Sequence, residues 1–146
     1  MLINKENRSE ALVKSLTELW YRSVNVSHLF LTEEDIEKLI PFVQMGLEAI
    51  EHLLVEYDGE EIVGFMGIED QKLEMLFLDV LYMRKGYGKK LVLQAIKNFD
   101  VLYVDVNEDN PSAVEFYKKM GFTQYDRNEL DDQGNHFPIL KMKLNM

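Results

Sequence analysis

Asn110-Pro111-Ser112-Ala113-Val114-Glu115-Phe116-Tyr117-Lys118-Lys119-Met120-Gly121-Phe122 is the stretch whose reading decides the fold. Asn110 suits a helix N-cap, where a side-chain oxygen satisfies a free backbone N–H, and Pro111 suits the first helical position. Gly121 suits the C′ position, where the chain turns left-handed to leave a helix. The spacing predicts a helix running to Met120, then a strand around Phe122–Glu129. Just upstream, Val101–Val106 is rich in β-branched residues and predicts a strand that leads into Asn107.

A second stretch lies further back, over Leu76–Leu93. A strand is expected at Lys72–Val80, then a turn at Gly86-Tyr87-Gly88, then a helix with Leu91, Val92, Ala95 and Ile96 inward. Two glycines let successive backbone N–H groups converge ahead of a helix N-terminus, an arrangement that holds a pyrophosphate. By itself such a pair is also what an ordinary turn needs. A dinucleotide fold would add a third glycine and a downstream acid, and a phosphate loop a Lys-Ser/Thr pair; both are missing.

Charge gives a further sign. The chain has a formal net charge of −10, yet Val80–Phe99 has no acidic residue and holds Arg84, Lys85, Lys89, Lys90 and Lys97. Either this basic island meets an anion, or it is a solvated helix face. The overall acidity disfavours nucleic acid, whose phosphates need a basic partner. There is no cysteine, so disulfides, thiolate zinc and a cysteine nucleophile are excluded. His28, His52 and His136 show no metal-ligand spacing, and no metal is expected.

The remaining chain completes the order of elements. Leu2–Ile3 suggests a short strand, and Ser9 caps a helix striped by Leu12, Val13, Leu16, Leu19 and Trp20. A loop is expected around Asn25–Phe30. Thr32 then caps a second helix with Glu33, Glu34 and Asp35 in its first turn, and Pro41 is expected to kink or restart it. Leu53–Tyr57 and Glu60–Ile68 flank Asp58-Gly59, the signature of a tight primed hairpin. The last strand is expected at Phe137–Leu144, beyond Asp131-Asp132-Gln133-Gly134.

Strand, two helices, three strands, helix, strand, helix and two strands make an α/β (α+β) fold with helices on both faces of a mixed sheet. With 146 residues, 47% hydrophobic and 29% charged, a single globular domain over residues 1–146 is expected. No apolar run approaches membrane length, and Met1–Arg8 lacks the apolar core of a signal peptide. A cytoplasmic protein without a membrane partner is the expectation.

Together the two stretches resemble the GNAT family of acetyltransferases. That family's acetyl-CoA loop reads Q/R-x-x-G-x-G/A, and its later helix reads N-x-x-A-x-x-F-Y-x-x-x-G-F. The helix pattern is met at Asn110, Ala113, Phe116, Tyr117, Gly121 and Phe122, and the loop glycines at Gly86 and Gly88. Met83 stands where the family has Gln or Arg, with Arg84 and Lys85 beside it. Trp20-Tyr21-Arg22-Ser23-Val24, His28-Leu29-Phe30-Leu31, Gly64-Phe65-Met66 and Arg127-x-Glu129-x-Asp131-Asp132-x-Gly134 extend the likeness over most of the chain. Within the family it is most similar to the YjaB-like bacterial subgroup.

The resemblance implies a mostly antiparallel seven-stranded sheet with about four helices. It also implies transfer of acetyl from acetyl-CoA to a primary amine by direct attack in a ternary complex. A non-catalytic acyl-CoA-binding regulatory domain is the alternative. Polyamine, amino acid, antibiotic, protein N-terminus and lysine side chain are all open as acceptors, as are monomer and homodimer.

Residue by residue, the resemblance assigns Tyr117 to protonating the departing thiolate. It assigns Arg84, Lys85, Gly86, Tyr87, Gly88 and Lys89 to the phosphate loop, and Leu76, Phe77 and Leu78 to the pantetheine and thioester. Asn110 meets the coenzyme arm besides capping its helix. Glu74 is either the base that frees the amine or a solvated strand carboxylate. Trp20, Arg22 and His28 fall where the family shapes its acceptor pocket. His28 either assists proton removal or holds its loop, and Arg22 either meets an acceptor carboxylate or pairs with Glu18 or another acid.

Overall fold

The structure is a computed structural model and describes every residue except Gln133 and Met146. In chain order the elements are β1 (Leu2–Ile3), α1 (Glu10–Ser27), α2 (Glu33–Ala49), β2 (His52–Asp58), β3 (Glu61–Glu69), β4 (Lys72–Leu78), α3 (Tyr87–Phe99), β5 (Tyr103–Asn107), α4 (Pro111–Lys119), β6 (Phe122–Asn128) and β7 (Ile139–Leu144). The strands form one sheet in the order β1-β2-β3-β4-β5-β7-β6. Every neighbouring pair is antiparallel except β4 with β5. Seven strands and four α-helices are what the sequence led one to expect.

Alternation along the strands divides the core between two faces. Leu53 and Val55 of β2 pack with Leu16 and Leu19 of α1 and Leu47 of α2. Leu54 points the other way, into a core with Leu91 and Val92 of α3 and Val114 of α4. The caps act as their residues predict. Ser9 accepts from the Leu12 N–H, and Thr32 and Asp35 form a reciprocal capping box at α2.

Some boundaries differ from expectation, for physical reasons. α1 runs on to Ser27 in place of a loop, because Asn25 and Ser27 turn their side chains back onto the Tyr21 and Ser23 carbonyls. α2 passes through Pro41 as one helix. The proline is on the exposed face, where water can replace its missing hydrogen bond, and Ile36 and Leu47 are buried on either side of it. β4 stops at Leu78, short of Val80, as a 3₁₀ turn takes over Val80–Tyr82. β5 begins at Tyr103, because the Val101 N–H bonds the Ala95 carbonyl at the end of α3. β6 ends at Asn128, and β7 starts at Ile139. The hairpin turn falls on Gly59 (φ 63) and Glu60, with Asp58 still in its strand. Of the stretch expected between the last two strands, Gln133 lies outside the described residues.

One irregularity positions everything that follows. β4 and β5 pair only at Lys72↔Tyr103 and Leu73↔Val104. Past that point β4 stays with β3, through Met66↔Leu76 and Gly64↔Leu78. β5 instead follows β7, through Asp105↔Lys141 and Asn107↔Ile139. The register from Ile68↔Leu73 to Gly67↔Met75 leaves Glu74 as an extra residue, a β-bulge at the crotch of the fork. The sheet therefore splits into a wedge along β4.

Gly64 allows this close approach of β3 and β4. A Cβ there would meet the Phe77 carbonyl oxygen at 2.6 Å and Leu78 Cδ2 at 2.7 Å. At Gly67 the nearest atom, also at 2.6 Å, is the mobile Cε end of Met75. Gly64→Ala is expected to destabilise by about 2 kcal/mol, and Gly67→Ala by less. Urea unfolding of the two variants checks this, and equal losses would contradict it.

Candidate active site

The wedge holds a cleft of about 640 Å³. One wall is β4 from Leu73 to Leu78, and the facing wall is β5 from Val104 to Asn107. From Glu74 onward, β4 has no strand partner on its β5 side, so that edge can offer backbone groups to a bound chain. α3 closes one end with Gly86, Gly88 and Lys89, α4 adds Asn110 and Tyr117, and the end of α1 adds His28.

The α3 end has the backbone geometry that suits an anion. Arg84 (φ 61) and Gly86 (φ 90) are both left-handed around Lys85, which curls the main chain ahead of the helix. Gly86 is the N-cap of α3 and provides no side-chain cap, so the first N–H groups of the helix are free of one. Gly88 belongs to the first turn of α3, not to a turn before it, and faces Phe116 at ordinary contact distance. Met83 and Arg84 line the cleft as well. Lys90 is committed to an ion pair with Glu56. Lys85 and Tyr87 lie outside the lining, Lys85 Nζ standing 5.7 Å over the Tyr82 ring and Tyr87 meeting that ring edge-on.

Tyr117 and Asn110 reach the cleft from α4. Tyr117 is 8% exposed, with Phe116 and Phe122 edge-on to its ring. Burial pushes its hydroxyl well above the ordinary phenol range, so it is protonated at neutral pH. Among the described residues no group hydrogen-bonds that hydroxyl. Asn110 Oδ1 accepts from the Ala113 N–H at 3.3 Å, so the residue caps α4 while its side chain lines the cleft.

The opposite end is acidic. At the crotch, Lys72 Nζ stands 2.6 Å from Asp105 and 3.6 Å from Glu74. Burial raises the Glu74 pKa, with the nearby Lys72 charge opposing. His28 ends α1 with Nδ1 2.7 Å from Ser27 Oγ. Its ring lies 5.5 Å from Phe30 and 6.4 Å from Phe77. Phe30 in turn meets Phe137, just before β7, at 5.5 Å. Burial lowers the His28 pKa from 6.5 to about 4, leaving a neutral imidazole.

An acetyltransferase (GNAT) domain model matches residues 30–146. The chain belongs to the GNAT acetyltransferase family. The peptidyl-lysine N-acetyltransferase YjaB of Salmonella typhimurium is 35% identical over 142 residues, 97% of this chain and 98% of that protein. The solution structure of apo-form YjaB from Escherichia coli superposes with a TM-score of 0.83 at 33% identity, covering 98% of this chain and 95% of that one. The PaiA N-acetyltransferase of Thermoplasma acidophilum, crystallised with coenzyme A, shares the fold with a TM-score of 0.72 at 22% identity, covering 100% and 98%. This chain is therefore an acyl-CoA-dependent N-acetyltransferase, and the alternative of a non-catalytic acyl-CoA-binding domain finds no support.

In this GNAT protein the fork gathers Glu74, Leu76, Phe77, Leu78, Arg84, Gly86, Gly88, Lys89, Asn110, Tyr117 and His28 around one cleft. Two acceptor candidates fall elsewhere. Trp20 is 4% exposed within the core between α1, α2 and the sheet. Arg22 pairs with Asp79 at 2.9 Å, not with Glu18, and faces solvent outside the cleft. Asp105, Ser23 and Ser27 line the cleft without having been singled out. Asp105 has no local signal, since only the parallel pairing of β4 with β5 brings it beside Glu74. Among the described residues, no cluster of His, Asp or Glu is suited to a metal ion, and no helix is long and apolar enough to cross a membrane.

The neutral His28 has a consequence for stability. Its folded pKa of about 4 lies below the ordinary 6.5, so the unfolded chain binds the extra proton between those values. Its contribution is present above pH 6.5 and lost as pH falls towards 4. The melting temperature of the wild type should thus drop more steeply over that window than that of His28→Phe. Parallel slopes would remove His28 as the cause.

Proposed function

We propose that this enzyme, as one domain over residues 1–146, acetylates lysine side chains of proteins in the cytoplasm. The supporting observation is the 35% identity, over nearly its whole length, to a relative named as a peptidyl-lysine N-acetyltransferase. An acidic crotch of Glu74 and Asp105, partly offset by Lys72, suits a cationic acceptor. A net charge of −10 argues against nucleic acid or anionic membrane as a partner.

Acetyl-CoA supplies an activated acyl group when bound. The curled chain at Arg84, Lys85 and Gly86, with the free N–H groups at the start of α3, holds its phosphates; Tyr87, Gly88 and Lys89 form that first turn. The open edge of β4 at Leu76, Phe77 and Leu78 orients its arm and acyl carbonyl, and Asn110 meets the arm from α4. Because an ammonium has no lone pair, the acceptor must first lose a proton, and the burial-raised Glu74 takes it, directly or through water. The neutral amine then attacks directly, with no acyl-enzyme. Tyr117 donates its proton to the leaving sulfur, a role suited to a phenol held protonated in an apolar setting.

The test is a panel of lysine peptides and small amines, assayed for acetyl addition by mass and for thiol release. Lysine peptides are expected to be acetylated faster than polyamines or free amino acids; the reverse ranking would overturn the acceptor assignment. Acetyl-CoA should raise the melting temperature, because it binds the folded state alone. In Tyr117→Phe turnover should fall about 100-fold while that thermal shift persists. Unchanged turnover would assign the proton to another donor.

A further inference from the structure

His28 and its two serines line the cleft and have no part in the steps above. Their hydrogen bonds fix where the ring proton lies. A carbonyl oxygen only accepts, so the Ser27 hydroxyl gives its single proton to the Ser23 carbonyl at 2.8 Å. The same Oγ stands 2.7 Å from His28 Nδ1 and has only lone pairs left for it. Nδ1 therefore carries the hydrogen, and Nε2 of the neutral ring is a lone pair. Among the described residues nothing donates to Nε2. Phe30 and Phe77 flank the ring and restrict its rotation.

Proton counting gives this lone pair a task. An ammonium has three N–H bonds and the product amide one, so two protons must leave the nitrogen. The first leaves before attack, towards Glu74 and solvent. The second leaves as the C–N bond forms and the C–S bond breaks. Glu74 has already taken the first proton, and it is held at the crotch with Lys72 3.6 Å away. The His28 ring lies 6.4 Å from that of Phe77.

We propose that His28 Nε2 accepts the proton shed by the amine nitrogen during acyl transfer, and that Ser27, anchored on Ser23, is the positioning residue that sets the tautomer. This rests on the direct-attack reading given above. Tyr117 delivers its proton to sulfur in the same event. The imidazolium then returns a proton through water to the phenolate, so one proton has moved from nitrogen to sulfur and one has gone to solvent. Burial of the ring agrees with a base that is neutral when the amine arrives.

Steady-state kinetics with acetyl-CoA and a blocked lysine peptide test this in His28→Gln, Ser27→Ala, Ser27→Thr and the double variant His28→Gln/Ser27→Ala. His28→Gln should lower kcat about 100-fold while the thermal shift with acetyl-CoA is retained. Ser27→Ala should lower kcat less, Ser27→Thr should restore it, and Ser27→Ala should add nothing once His28 is Gln. An unchanged kcat in His28→Gln, or equal effects of Ser27→Ala in both backgrounds, overturns the proposal. Nitrogen NMR of labelled imidazole gives a readout independent of the acceptor. The expected spectrum has a protonated Nδ1 and a bare Nε2, and the opposite tautomer overturns the proposal too. A wild type inert towards the peptide but active on another amine sinks the lysine assignment alone, and the same variants are then read with that amine.

Discussion

Parallel pairing of β4 with β5 lasts for two residue pairs and then ends, and the cleft exists because it ends there. If the ladder continued, the backbone groups of β4 from Glu74 to Leu78 would be satisfied by β5, leaving no edge for a bound chain. Such an edge is a liability in a sheet unless something else covers it. Here the opening is held from both sides. β3 grips β4 through the close approach at Gly64, and β7 draws β5 away. The bulge at Glu74 sits where the two pulls diverge and places a carboxylate at the apex.

The cleft is polarised along its length. At one end, left-handed residues and an uncapped helix start present N–H dipoles with Arg84 and Lys89 nearby. At the other, Glu74 and Asp105 share a single lysine. Between them lie Phe77, Phe116 and Tyr117, a low-dielectric stretch in which a phenol stays protonated. The two ends therefore offer opposite electrostatic environments, one suited to an anion and one to a cation, separated by an apolar stretch.

The elements themselves were legible because their signals are local. Ser9, Thr32 and Asn110 each cap as their side chains dictate, and apolar spacing marked both faces of the sheet. Family membership was legible from the Gly86–Gly88 pair and the Asn110–Phe122 stretch, motifs at fixed spacing. The rest depends on contacts between distant segments. No local pattern announces that β4 and β5 part after two pairs, that Asp105 comes to stand beside Lys72, or that Asp79 claims Arg22. Trp20 belongs to the same helical stripe as Leu16 and Leu19, and its burial follows from that stripe. A loop is the local expectation around Asn25–Phe30, yet Asn25 and Ser27 both fold back onto their own helix, and Ser27 thereby meets His28.

The ring contact between Phe30 and Phe137 joins the segment linking α1 to α2 with the segment leading into β7. Neither segment includes the curled chain at residues 84–86. The row of rings Phe137, Phe30 and His28 therefore ties both connections to the wall of the cleft. A change of length in either connection would pull on His28 through that row, so the two are coupled in the insertions they can tolerate.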